Sequence, residues 1–316
     1  MTNIKQNLFI AALAAATIFA PMAHAAQLSS DAKSAIPHDV QQLIVVDYRA
    51  MQNSTAAMDL KDRVLPPELK RLETALKNSG LKVDQDADVL AFAAFRDGNK
   101  GTRIVGIAQG QFHTREIMAN FTKNKIKPTV LRNTSIYPMG SGMSVIFLNQ
   151  TTMVFGDRDA VTAAVDARDG ITPDFLSNSD MVNEMAAVDS KAVWSLLDSK
   201  GTQTMMKSVL GDASALADYD TVQNRMKSSR YTMDFQNGVK FDMAVVMSDT
   251  LTAATAATLM KGVSLMKKNS GTPLEKSAID QTTIDSNSGT LTVAYSSSDS
   301  QFASLLSSPL FQSVVK

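Results

Sequence analysis

Residues 89–108 read VLAFAAFRDGNKGTRIVGIA, and this stretch decides the class of fold that the sequence predicts. Two apolar segments, 89–95 and 104–108, flank the polar segment 96–101, in which Asp97-Gly98 has the chemistry of a hairpin turn. The stretch therefore predicts a β-hairpin, which pairs its two strands antiparallel.

Similar signals recur farther along the chain. Asn237-Gly238 separates the apolar segments 231–235 and 240–247, and a turn at 286–289 separates segments 278–284 and 290–294. Because most predicted strands are joined by hairpins, the sequence favours the α+β class over a doubly wound parallel sheet. We expect antiparallel sheets with helices packed on them.

The remaining elements complete two similar halves. The first half is predicted to hold a strand at 43–46 that ends at Asp47, and a helix at 66–78 with Leu69, Leu72 and Leu76 on one face. A helix from His113, short strands at 129–132, 135–139, 144–148 and 152–155, and a helix capped by Asp157 follow.

The second half repeats this order of elements. It is predicted to hold a strand at 188–198, in which Trp194 is a core or sheet-face residue, and a helical region reaching Leu210. The two later hairpins, a helix capped by Asp249 or Thr250, and a last helix capped by Ser298 or Asp299 follow. This order predicts a duplication, with a first repeat domain at 26–170 and a second at 171–316. An ordinary loop inside one domain is the alternative reading of residues 169–179, and the halves form either one sheet or two.

The beginning of the chain predicts export. Lys5 precedes an apolar run of 13 residues, 8–20, and Ala23-His24-Ala25 has the small-x-small pattern of a signal-peptidase site. We expect cleavage between Ala25 and Ala26. The alternative is a membrane anchor, but a spanning helix needs about 20 apolar residues.

Composition narrows the class of protein further. The chain has no cysteine, so it can form no disulfide and carry no lipid on a lipobox cysteine. Its 31 basic and 31 acidic residues are dispersed, which argues against a nucleic-acid partner. Later apolar segments are only strand-sized, so the mature protein is expected to be soluble, without a membrane span, in the periplasm or the medium.

Candidate sites are few. His38 and His113 have no metal-ligand spacing, although either could act alone as a general base. Asp84, Asp86 and Asp88 have the spacing that opens a calcium loop, but Val89 and Phe95 stand where glycine and glutamate would complete it. An acidic loop before a strand is the favoured reading, and a weak calcium contact is the alternative.

Methionine and serine patterns also have structural readings. Met181 with Met185, and Met205 with Met206, could bind copper(I), but their helical spacing favours packing in the core. Ser-x-x-Lys occurs twice without the partner motifs of penicillin-recognising enzymes, and neither a nucleophile elbow nor a phosphate-binding glycine loop is present. The sequence therefore predicts neither a catalytic residue nor a cofactor.

Two segments carry a resemblance. Ile36-Pro37-His38-Asp39 … Val46-Asp47 and Val188-Asp189 … Leu197-Asp198, each followed by helix, hairpin and helix, resemble a loose group of bacterial exported proteins of unknown function. These proteins have tandem hairpin-and-helix repeats behind a signal peptide or lipid anchor. The resemblance implies a type of fold and export from the cytoplasm, and it assigns no residue a role.

These observations favour an exported, non-catalytic protein that binds an envelope protein or a small ligand through a sheet face or a cleft. The alternatives are a secreted hydrolase with an unrecognised site and a weak metal-binding protein.

Overall fold

The computed structural model describes residues 26–64, 67–140, 142–210 and 219–307. The predicted leader, residues 1–25, lies outside these ranges, as does Pro66 at the start of one predicted helix. Twelve strands and thirteen α-helices occur in the described ranges. The strands are Val40–Asp47 (β1), Ala87–Arg96 (β2), Thr102–Gly110 (β3), Thr129–Leu131 (β4), Thr134–Pro138 (β5), Met143–Phe147 (β6), Thr152–Asp157 (β7), Val193–Leu197 (β8), Met226–Asp234 (β9), Val239–Met247 (β10), Thr282–Asn287 (β11) and Thr290–Ser297 (β12).

The helices lie between these strands and cover the sheet. They are Ser30–Ser34 (α1), Tyr48–Met51 (α2), Thr55–Val64 (α3), Pro67–Asn78 (α4), Val83–Asp86 (α5), Thr114–Lys123 (α6), Arg158–Arg168 (α7), Ser179–Met185 (α8), Ser199–Leu210 (α9), Tyr219–Gln223 (α10), Thr250–Ser270 (α11), Pro273–Asp280 (α12) and Asp299–Leu306 (α13). Short 3-10 turns occur at Gly98–Lys100 and Phe175–Ser177.

All twelve strands form a single sheet, whose order is β11-β12-β10-β9-β8-β1-β2-β3-β7-β6-β5-β4. Every pairing in it is antiparallel. This confirms the α+β class and answers whether one sheet or two is formed. Strands β1 to β3 run outward from the centre on one side, and β8 to β10 run outward on the other.

The centre of the sheet is the pair β1–β8, which joins the two parts of the chain. Gln42 lies opposite Leu197 and Val45 lies opposite Trp194. An ion pair between Arg96 of β2 and Asp198 bridges the same region. One hydrophobic core, which includes Val45 and Trp194, contains residues from both sides of this seam.

Strand β2 shows how the chain covers both faces of the sheet. Its side chains alternate between buried and half-buried, as expected for a strand. Ala91 and Ala93 pack in the core beneath α7, whereas Leu90 and Phe92 pack against a second core that includes α4 and α6. A third core lies between β9, β10, β12 and the helices α9 to α11.

Two predicted strands have different bounds from those expected. The strand predicted at 188–198 is confined to Val193–Leu197, because Val188 and Asp189 close a turn onto Met185 at the end of α8. The strand predicted from Ala278 is also wrong at its start. Ala278 belongs to α12. Thr272 and Glu275 form a reciprocal capping box at the start of this helix, and Pro273 occupies its first position.

Candidate functional site

An apolar cavity lies between α4 and the strands β2, β3 and β7. Its volume is about 50 Å³, and it is open to solvent. Leu90 and Phe92 of β2, Ala108 of β3, and Met153 and Phe155 of β7 line the sheet side. Its apolar walls and the few polar side chains beside them make it the candidate site.

Helix α4 forms the opposite wall. Leu69, Leu72 and Leu76 recur every three to four residues, so they share one face of the helix. Leu72 and Leu76 are buried against the sheet, and the chain then turns at Gly80, which has φ of 90°. Leu81 is fully buried after this turn and also lines the cavity.

A glycine shapes the sheet side of the cavity. Gly106 of β3 lies beside Phe155, and a Cβ at this position would overlap the Phe155 ring. The missing side chain lets the ring of Phe155 lie over the strand, where it meets Phe92 edge to face at 6.0 Å between ring centroids. Both rings line the cavity, so Gly106 fixes the position of part of its wall.

The mouth of the cavity carries its polar side chains. The Lys61 ammonium donates a hydrogen bond of 3.0 Å to the Tyr48 hydroxyl and lies 3.5 Å from Oε1 of Glu73. It also lies 5.1 Å from the centroid of the Tyr48 ring, in cation–π range. The side chains of Lys61 and Glu73 are 16% and 38% exposed, which places them at the opening.

Lys61 remains a cation at this position. Burial lowers its pKa, but the hydrogen bond to Tyr48 and the nearby carboxylate of Glu73 outweigh burial and leave the pKa above its ordinary value of 10.5. At neutral pH the mouth therefore presents an ammonium group, which is neither a nucleophile nor a base.

Short helices hold Tyr48 and Lys61 in place. Asp47 ends β1 and caps α2, because its Oδ1 accepts a hydrogen bond of 2.7 Å from the Ala50 amide. Ser54 accepts from the Ala57 amide at the start of α3, the helix that carries Lys61. Gln52 donates to the Asp84 carbonyl at 2.8 Å and so ties α2 to α5.

The comparison with solved structures found a match over most of the chain. Two crystal forms of TP0453, a Treponema pallidum protein, superpose with TM-scores of 0.52 for form I and 0.53 for form III. They cover 87% and 89% of this chain, and 96% and 99% of TP0453, at 8% and 9% sequence identity. The fold is similar to that of TP0453. No protein-family model and no curated protein matches the sequence.

At this identity the likeness to TP0453 concerns the fold alone. It covers both sides of the β1–β8 seam, since it extends over nearly nine tenths of the chain. The cavity residues of the present chain are assigned from its own geometry, and TP0453 contributes no residue role to them.

The aspartates of the predicted calcium loop have separate partners. Asp88 pairs with Arg49, and Oδ2 of Asp86 accepts a hydrogen bond of 2.8 Å from the Lys82 amide. The backbone of Asp84 binds Gln52. Over the described residues, no group of three or more histidine, aspartate or glutamate side chains could hold a metal ion.

The other candidate residues lie away from the cavity. His38 pairs with Asp39 at 3.1 Å on the surface, and His113 precedes α6. Neither histidine lines the cavity. Met181, Met185 and Met206 are buried in the cores and Met205 packs beside them, which confirms the packing interpretation.

The first described residues are integrated into the fold. Ala26 is fully buried, its amide donates to the Lys191 carbonyl at 3.2 Å, and its carbonyl accepts from Nε1 of Trp194 at 2.9 Å. Trp194 is fully buried, as predicted. Among the described helices, none has the length and apolar character needed to cross a membrane.

The sequence indicated one wall of the cavity and missed its mouth. Leu69, Leu72 and Leu76 were predicted to share a helix face, but Tyr48, Lys61 and Glu73 belong to no motif. They come together only because α2, α3 and α4 pack on the same side of the sheet. No local pattern could have shown this.

Proposed function

We propose that this protein is an exported, non-catalytic binding protein that holds the apolar chain of an amphiphile in the cavity beneath α4. The observation that carries the proposal is the division of the cavity into apolar walls and a single charged mouth. Removing an alkyl chain from water against such walls is favourable, while a polar head group can stay at the opening.

The mouth supports binding rather than catalysis. Lys61 keeps its proton because Tyr48 and Glu73 stabilise the charged form. The neighbouring Tyr48 hydroxyl accepts a hydrogen bond from this ammonium. The protonated ammonium cannot act as a base that activates the hydroxyl. His38 and His113, the histidines of the described chain, do not contribute to the mouth.

Export and the two-part architecture belong to the same proposal. The apolar run 8–20 and the small residues Ala23, Ala25 and Ala26 support a cleaved signal peptide and a periplasmic or extracellular address. On each side of the β1–β8 pair the three innermost strands follow chain order, β1-β2-β3 and β8-β9-β10, which supports two α+β repeats, 26–170 and 171–316. Mass spectrometry of the exported protein should show Ala26 as its first residue, and a mass that retains residues 1–25 would contradict cleavage.

A substitution that fills the cavity tests the binding function. Leu69→Trp should reduce binding of the uncharged fluorophore N-phenylnaphthylamine, and of decanol as its competitor, by about tenfold, because the larger side chain occupies the space of the alkyl chain. Fluorescence titration measures both affinities.

The matched control is Leu251→Trp on α11, where the leucine is 75% exposed and does not line the cavity. This variant should bind like the unmodified protein. Failure of the unmodified protein to bind any ten-carbon amphiphile, or equal binding by both variants, would overturn the proposal.

A further inference from the structure

We infer that the ligand carries an anionic oxygen head group, a carboxylate or a phosphate, which binds the Lys61 ammonium and the Tyr48 hydroxyl at the mouth of the cavity. This inference rests on the proposed function, since it names the chemical class of the ligand in that site. It commits to an anionic amphiphile and excludes uncharged and cationic ones as preferred ligands.

The first argument is the position of the charge. Of the side chains that line the cavity, the Lys61 side chain carries a positive charge, and it lies where the apolar walls end. Its side chain is only 16% exposed, so an anion that reaches it leaves much of its water behind and interacts in a medium of reduced dielectric. Charge complementarity at this point favours an anionic head and disfavours an ammonium head.

The second argument is the hydrogen-bonding capacity of the pair. An ammonium group has three donors, and one of them binds Tyr48 at 3.0 Å. The Tyr48 oxygen accepts this bond and therefore retains its own proton to donate. Ammonium and hydroxyl together can thus donate to the two oxygens of a carboxylate or to two oxygens of a phosphate.

The third argument is that the present partner of Lys61 is replaceable. The distance from Lys61 to Glu73 is 3.5 Å, longer than a direct hydrogen bond, and the Glu73 side chain is 38% exposed. Glu73 can turn into water, and the head group then takes its place beside Lys61. Its carboxylate occupies the position that we assign to the head group and competes with it.

Four ligands of equal chain length test the inference: decanoate, decyl phosphate, decanol and decylamine, measured at about pH 8, where the acids and the amine are charged. The unmodified protein should bind at least one of the two anions at least tenfold more tightly than decanol, the effect expected of one charge-assisted hydrogen bond. Decylamine should bind more weakly than decanol. The tighter of the two anions identifies a fatty acid or a phosphate monoester as the source of the head group.

Variants of the mouth assign the effect to Lys61. Lys61→Met should lose the preference for anions over decanol, whereas Lys61→Arg should retain this preference. Glu73→Gln should bind decanoate more tightly, because the competing carboxylate is gone. The melting temperature of each variant shows that it is folded.

The outcomes separate the two proposals. If the unmodified protein binds none of the four ligands, the proposed function fails. If decanol binds and both anions bind no more tightly, only the head-group inference fails. An anion preference that survives in Lys61→Met would also overturn it, since the charge would then lie elsewhere.

Discussion

Gly106 shows how one residue controls the cavity, because its missing side chain makes room for Phe155. Gly106→Ala should force the Phe155 ring away from the strand, and overpacking of this kind costs about 1–3 kcal/mol. Since Phe155 lines the cavity, the same change should weaken decanol binding. Chemical denaturation measures the first effect and fluorescence titration the second.

A second glycine serves as the control for this substitution. Gly262 lies within α11 with open space around its Cα, so a methyl group there meets nothing. Gly262→Ala should stabilise the protein by up to about 1 kcal/mol through helix propensity and leave decanol binding unchanged. Equal effects at both positions would show that the contact with Phe155 is unimportant.

At the scale of elements, Asp249 makes the stability of α11 depend on pH. Its carboxylate accepts from the backbone amide of Thr252 at 2.8 Å and from the Thr252 hydroxyl, with Ser248 and Arg225 as further donors. These bonds hold the pKa of Asp249 well below its ordinary value of 3.8. A depressed pKa stabilises the folded state above the unfolded value, and this contribution is lost as the pH falls through the folded value.

Asp249→Asn should therefore flatten the acid limb of the stability curve. Asparagine still caps a helix but does not titrate, so the melting temperatures of the two proteins should converge as the pH falls below about 4. Thermal denaturation between about pH 7 and 2 measures this. Thr252→Val removes one donor and should give an intermediate curve, whereas a constant difference between Asp249→Asn and the unmodified protein would contradict the prediction.

The elements that could be predicted from the sequence are those with local signals. The hairpin β2–β3 follows from Asp97-Gly98, and Gly98 and Gly101 both have the positive φ that such a turn requires. Helix α7 begins after Asp157 as expected, with Oδ1 accepting from the Ala160 amide at 2.8 Å. In each case neighbouring residues contain the whole signal.

The elements that were missed depend on tertiary contacts. The sequence of α3 reads TAAMDLKDRV and has no continuous apolar stripe that would predict a helix. Its Ala56 and Ala57 pack in separate hydrophobic clusters that include residues of β9 and β10. The mouth of the cavity then depends on this helix through Lys61. When three helices from separate segments build a site, the residues of that site have no characteristic spacing in the sequence.

At the scale of the molecule, the β1–β8 pair joins the strands on its two sides into one sheet. The core at this seam contains Leu43 and Val45 from one side and Trp194 and Leu196 from the other, and neither side can bury these residues alone. The pairing is antiparallel and is reinforced by the contact between Arg96 and Asp198. We therefore expect both sides to unfold together.

Calorimetry of core variants tests this expectation. Ile117 is buried in the core beneath α4 and α6 on the first side, and Leu291 is buried in the core of the second side, so Ile117→Ala and Leu291→Ala should each cost about 2–5 kcal/mol. If the sheet unfolds as one unit, each variant shifts a single transition whose calorimetric and van't Hoff enthalpies agree. Two independent domains would instead show two transitions, with each variant moving only one of them. The continuous hydrogen bonding across β1–β8 favours the single transition, because separating the sides would expose the edges of both central strands and the buried ring of Trp194.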